Sequence, residues 1–294
     1  MDDVRTHGRL VAAGARQVRI DLDACAQVAP AEPPALDPER HYLEGSPADV
    51  ADYMLALDAI NFGSGWFPTL RKRMAHGEPV SGYFTVAWNF ADHVRTHGPP
   101  TSAWLARVDS VEIAVILGQD PGSELMSLYA QALRELGRFL AGPPARRALD
   151  VVELAGGSAV RLAELVGTGM RMWADHGFYK RAQILPSDLA LAGVAEFADL
   201  DRLTIFADNL VPHVLRCDGV LVYDEALAAR IDTGERLSLG GAEREIRACA
   251  VHACALISQR TGISEREIDN WLWTRGQAPE YKARPRHRCR TVFY

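Results

Sequence analysis

Apolar positions recur at helical spacing along most of the chain, and that period dominates its pattern. Ser46 and Pro47 supply an N-cap followed by proline at the first helical position, and Val50, Tyr53, Met54, Leu57 and Ile60 follow at helical spacing, which predicts a helix over 47–61. Leu125, Leu128, Leu133 and Leu136 form one stripe, predicting a helix from Glu124 to Leu140 with Gly142 as its stop. Further helical patterns cover 158–170, 178–185, 187–197, 203–217, 225–232, 242–259 and 264–275, the last opened by Ser264 and Glu267 at capping-box spacing. Strand signals are short: Leu10 to Ala12, Val18 to Leu22, and Val220 to Tyr223 after the Asp218–Gly219 turn. Pro30, Pro33, Pro34 and Pro38 each fix φ and remove a backbone donor, so 26–40 reads as an extended strap. The expectation is a mainly α fold with a few short strands: one α-helical domain over 46–294, with 1–45 as an extended segment packed on it.

Composition adds limits. The chain has 294 residues, 48% of them hydrophobic and 24% charged, enough to bury a sizeable core. Its formal net charge of -6 argues against a surface built to coat nucleic acid, which needs clustered Lys and Arg, so a small-molecule partner is expected. No signal-peptide pattern opens the sequence, and no apolar run approaches the roughly 20 residues needed to cross a bilayer. Five cysteines without CxxC or Cys/His zinc spacing point to a reduced, cytoplasmic chain with no structural metal and no cofactor. Cys249 and Cys254 read as small buried hydrophobes.

The signatures of dinucleotide, P-loop, zincin and hydrolase-elbow enzymes are all absent. What stands out is a carboxylate among apolar residues, Phe206-Ala207-Asp208-Asn209-Leu210-Val211-Pro212, together with Phe178-Tyr179-Lys180-Arg181-Ala182-Gln183. Asp208 and Lys180, each in an apolar helical context, are expected to face each other across a helical hairpin and form an ionised pocket. Two readings of Asp208 stay open: an N-cap for the turn that resumes at Pro212, or a carboxylate held near a reacting centre. Asn61, Phe62 and Trp66 have the aromatic faces and amide edge of a pocket for a planar ligand, although core packing accounts for any one of these aromatics. Asp269-Asn270-Trp271-Leu272-Trp273 carries the same ambiguity. The basic run Arg284 to Arg290 reads as a solvated tail or as a phosphate seat.

Several short segments in the same order resemble the queuosine salvage family: Leu57-Asp58-Ala59-Ile60-Asn61-Phe62-Gly63, Phe178 to Leu185, Phe206-Ala207-Asp208 with Pro212 and Leu215, Glu245-Ile246-Arg247, and His287-Arg288 to Phe293-Tyr294. The resemblance spans roughly residues 41–294. It implies a helical scaffold similar to helix-hairpin-helix DNA glycosylases, and hydrolysis of a 7-deazaguanine nucleotide to queuine and ribose 5-phosphate. It also implies an acidic residue after Leu272–Trp273, where this chain has Thr274. Breaking a nucleoside C–N bond builds positive charge on C1′ and O4′, a role for Asp208 beneath the sugar, where it also accepts a proton from water. A 7-deaza base lacks the purine N7, so hydrogen bonds elsewhere must assist its departure, with Asp58, Asn61 and Gln183 as candidates. Phe62, Trp66, Tyr179 and Trp273 are the stacking candidates, and Lys180 and Arg288 the phosphate donors. The rival readings are a DNA base glycosylase on the same scaffold and a nucleotide-binding module without turnover.

Overall fold

The computed structural model of the chain describes residues 1–31, 35–142 and 147–294. The architecture is mainly helical. Its first half comprises α1 (Asp2–Gly14), β1 (Val18–Ile20), α2 (Leu22–Gln27), α3 (Pro47–Ala59), β2 (Met74–Ala75), β3 (Glu78–Pro79), α4 (Gly82–His97), α5 (Ser102–Leu105), α6 (Ser110–Leu117) and α7 (Glu124–Ala141). The second comprises α8 (Ala148–Leu154), α9 (Ala159–Gly169), α10 (Lys180–Leu191), α11 (Val211–Cys217), β4 (Leu221–Tyr223), α12 (Glu225–Asp232), α13 (Ala242–Thr261), α14 (Glu265–Arg275) and α15 (Pro279–Lys282).

Two helices form the centre. Every residue of α3 from Val50 to Ala59 is buried, because α4, α7, α8 and α10 pack around it. A helix apolar on all sides is stable only when enclosed in this way. The Ser46 hydroxyl caps α3 and Pro47 opens it, as the sequence predicts. The second centre, α13, is covered by α1, α2, α11 and α14. At the start of α14 the Ser264–Glu267 capping box is formed. Among the described residues, no helix is long and apolar enough to cross a membrane.

The first 45 residues depart from the expected extended segment. Leu10 to Ala12 belongs to α1 and not to a strand, since Val4 and Gly8 bury a helical face against α13. Val18–Ile20 is a strand, pairing antiparallel with Leu221–Tyr223. Of the proline strap, Glu32, Pro33 and Pro34 lie outside the described residues, and its remainder beyond α2 has no helix or strand.

Two other expectations change. The patterns 178–185 and 187–197 are largely one helix, α10, which continues through Pro186. Proline costs it a hydrogen bond, but α10 is buried between α3 and α9, and that packing holds both halves in line. The stretch expected as helix over 203–217 is helical only from Val211 to Cys217. From Leu203 to Leu210 the backbone has no regular structure, and side chains from elsewhere take its polar groups. Arg5 donates to the Leu203 carbonyl (3.2 Å), the Thr204 N–H donates to Gln183 Oε1 (2.8 Å) and the Phe206 N–H to Asp269 Oδ1 (2.8 Å), while Arg247 Nε donates to the Ala207 carbonyl (2.8 Å). Buried backbone groups need partners, and once these are supplied the segment has no need of a helical ladder.

The turn after α3 brings a distant segment to the same place. Gly63, at φ +105°, donates its N–H to the Tyr294 carbonyl at 3.0 Å. At Gly65 a Cβ would lie 2.3 Å from the Cys289 carbonyl oxygen, so only glycine lets the two backbones touch.

Candidate active site

A cavity of about 410 Å³ opens where these pieces meet. The turn after α3 supplies Asn61, Phe62 and Phe67, the start of α4 supplies Tyr83 and Phe84, and α10 supplies Lys180 and Asp188. The irregular segment brings Phe206 and Asp208, α14 brings Asp269, Asn270, Trp273 and Thr274, and Lys282 and Arg286 complete the wall. A more open groove of about 660 Å³, lined by α1 and β1 residues such as Arg9 and Arg19, contains none of the candidate residues.

Asp208 sits just upstream of α11. Its Oδ1 accepts from the Leu210 N–H (2.6 Å) and the Val211 N–H (3.0 Å), while Oδ2 has no hydrogen-bond partner among the described residues. The N-cap of α11 is Leu210 and not Asp208, but Asp208 Oδ1 holds the N–H groups of Leu210 and Val211 at the helix start, and its side chain borders the cavity. Lys180 is buried, and its Nζ donates to both the Asn61 carbonyl (2.9 Å) and Asn61 Oδ1 (3.0 Å). Burial lowers its pKa to about 8, with the attraction of Asp208 opposing. The two groups border one cavity, but Asp208 stands on an irregular segment and not on a helical hairpin, and no ion pair joins it to Lys180 among the described residues.

Three more carboxyls surround Lys180. Asp269 is buried, and burial followed by repulsion from Asp208 pushes its pKa well up, which favours the neutral acid. Asp58 is fully buried behind Asn61, and neither of its oxygens makes a geometrically good hydrogen bond. Desolvation and then the nearby Asp188 raise its pKa, against partial opposition from Lys180, the Asn61 amide and Arg181. Asp188, partly open to the cavity, is raised mainly by desolvation as well. The site thus gathers several carboxyls, and burial raises the pKa of Asp58, Asp188 and Asp269.

The aromatic wall is built from α4 and α14: Trp273 meets Tyr83 and Phe84 edge-on, at centroid distances of 5.4 and 5.5 Å. Asn61, Phe62, Lys180, Asp208 and Trp273 come together as the sequence suggests. The remaining candidates do not line the cavity. Trp66 is packed in the core, with its indole N–H on Glu124 (2.7 Å). Tyr179, left-handed at φ 52°, packs near Gly167 with its hydroxyl 3.2 Å from His176. Gln183 is buried and donates to the Phe178 carbonyl and the Thr204 hydroxyl, each at 2.8 Å, so its amide is committed to the chain. Asp58 lies behind the wall, and Arg288 points to the Gly234 carbonyl (2.6 Å).

Tyr83, Phe84, Asp188, Lys282 and Arg286 were not among the candidates. Arg286 lies in the basic run Arg284 to Arg290, two residues from Arg288. Asp188 carried no local signal. The neighbouring Arg181 and Arg247 are structural: Arg181 donates to the carbonyls of Ala59 (2.5 Å), Val292 (2.8 Å) and Met172, and Arg247 pairs with Asp175 at 2.5 Å.

The sequence is similar to those of known proteins. Residues 41–294 match the family model described as "Queuosine salvage protein". A protein of Sphaerobacter thermophilus named queuosine 5′-phosphate N-glycosylase/hydrolase is 36% identical over 99% of this chain and 97% of its own length. Proteins of the same name from Mus musculus (28% identical over 99% of this chain and 98% of its own) and Nematostella vectensis (29% over 88% and 85%) are also similar.

Proposed function

The chain belongs to the queuosine salvage protein family, and from that premise we propose that it hydrolyses the N-glycosidic bond of queuosine 5′-phosphate, releasing queuine and ribose 5-phosphate. The observation that carries this reading is the half-satisfied carboxylate of Asp208, fixed by two backbone amides at Oδ1 and open at Oδ2 on a cavity with an aromatic wall. As the bond from C1′ to the base nitrogen lengthens, its electron pair leaves with the base and positive charge grows on C1′ and O4′. A fixed carboxylate stabilises that charge more than it stabilises the ground state, and no reorganisation is needed at the moment of reaction. Water then bonds to C1′, one of its protons passes to a carboxylate, and the base nitrogen takes up a proton.

The base occupies the wall formed by Trp273, Tyr83, Phe84 and Phe62. With Gln183 committed to Thr204, its polar edge is left to Asn61, Asp188 and Asp269. Lys180 holds Asn61 through two hydrogen bonds and carries its charge near Asp208. Thr274 stands at the same wall in the place of the acidic residue that the resemblance implies.

Incubation of the purified protein with queuosine 5′-phosphate, followed by mass spectrometry, is expected to show queuine and ribose 5-phosphate forming in equal amounts. Absence of free queuine from folded protein with intact substrate would refute the assignment.

A further inference from the structure

Among the described residues, two cations at the cavity have no carboxylate in an ion pair with them. Lys282 and Arg286 line it, and they also line a smaller cavity of about 360 Å³ beside it. Among the described residues, the side chains of Lys282 and Arg286 make no hydrogen bond or ion pair. The surrounding arginines are different: Arg40 pairs with Asp37 (3.0 Å), Arg284 with Asp232 (3.3 Å) and Arg290 with Glu124 (2.9 Å). The pKa of Lys282 is lowered by burial and then by Arg286 and Arg40. Arg286 also feels Asp208. Like charges brought together in a partly desolvated place cost stability unless an anion arrives to offset them.

We infer that Arg286 and Lys282 form the seat for a phosphate monoester dianion, placed so that a ribose joins it to Asp208. The inference rests on the proposed hydrolysis, and replaces Arg288, whose guanidinium is held by the Gly234 carbonyl. One seat then holds the 5′-phosphate of the nucleotide before bond cleavage and that of ribose 5-phosphate after it. Inorganic phosphate competes there as a dianion of the same kind.

Isothermal titration with ribose 5-phosphate, ribose and inorganic phosphate tests the seat without any queuosine compound. Ribose 5-phosphate and phosphate are expected to bind and ribose not to bind. Arg286→Met and Lys282→Met should each weaken ribose 5-phosphate at least about 10-fold, the scale of one charge-assisted hydrogen bond, with an unchanged melting profile. Arg288→Gln serves as the comparison and should bind ribose 5-phosphate as the parent does. In turnover, Arg286→Met should lower kcat/KM for the nucleotide by a similar factor and leave the unphosphorylated nucleoside unchanged. Unaltered binding in both variants, or equal losses for nucleotide and nucleoside, would overturn the seat. If ribose 5-phosphate bound in an Arg286-dependent way while queuosine 5′-phosphate stayed intact, the seat would stand and the hydrolase reading would fall.

Discussion

Replacing Asp208 by Asn separates its two duties. Oδ1 accepts from Leu210 N at 2.6 Å and Val211 N at 3.0 Å, and an amide oxygen in the same place accepts both. What changes is the loss of the negative charge, together with an N–H₂ group in place of the open Oδ2. A charge-assisted hydrogen bond is roughly twice as strong as a neutral one, so the fold should lose only about 1 kcal/mol. For the reaction, the variant lacks a preorganised group facing C1′, an effect typically worth about 2.7–4 kcal/mol, or roughly 100- to 1000-fold in kcat. Asp208→Ala removes both acceptor bonds as well, leaving two amides at the start of α11 unmatched and costing about 1–2 kcal/mol more stability than Asn. Urea denaturation of the three proteins, with chromatographic assay of queuine release, reads both effects. An Asn variant within about threefold of the parent's kcat/KM would refute the electrostatic role. An Asn variant as unstable as the Ala one would show that the charge serves the fold.

Two further outcomes follow from the groups around it. Lys180 loses its proton as pH rises through about 8, so kcat/KM should fall on an alkaline limb near that pH, and Lys180→Met should abolish the limb. The sign for stability is opposite: between the folded pKa of about 8 and the unfolded value near 10.5, the unfolded chain binds more protons, so Lys180's contribution to stability rises with pH while activity falls. A matching fall in melting temperature would contradict this assignment. Arg247→Met leaves Asp175 and Glu243 buried without their cation and frees the Ala207 carbonyl, which should cost about 3–5 kcal/mol in urea denaturation; a loss below about 1 kcal/mol would dismiss Arg247 as the anchor of this segment.

Where local pattern and burial agree, the sequence is legible. The Ser46–Pro47 start, the Leu125 stripe and the Ser264–Glu267 box all become helix ends or faces in place. Asn61, Phe62, Lys180, Asp208 and Trp273 come from short motifs, and they meet in one cavity. Misread parts depend on partners far along the chain. Apolar residues at 203, 206 and 210 have helical spacing, but Gln183, Asp269 and Arg247 lie in other helices and take the backbone groups that a helix would have used. Nothing local at Gln183 distinguishes an amide that holds an irregular segment from one that meets a base. Arg286 and Arg288 are likewise equivalent by composition, and only the Gly234 carbonyl, which occupies one of them, sets them apart.

The same long-range bonds explain how Asp208 stands on irregular backbone without being loose. A helix through 203–210 would fix its own backbone but would dictate where Asp208 points. With the ladder absent, direction is set by four separate elements: α1 through Arg5, α10 through Gln183, α13 through Arg247 and α14 through Asp269. Each bond lies between groups wholly or partly withdrawn from water, where an unmatched partner costs about 1–3 kcal/mol, so the segment is held in one arrangement by penalties on all the others. That places much of the control over Asp208 in residues that never meet a ligand. Substitutions at Gln183 or Arg247 should therefore lower turnover through geometry, with stability falling in parallel. Changes at Arg286 or Lys282 should weaken binding of the phosphate end and leave the melting profile in place, because those side chains hold no other part of the protein.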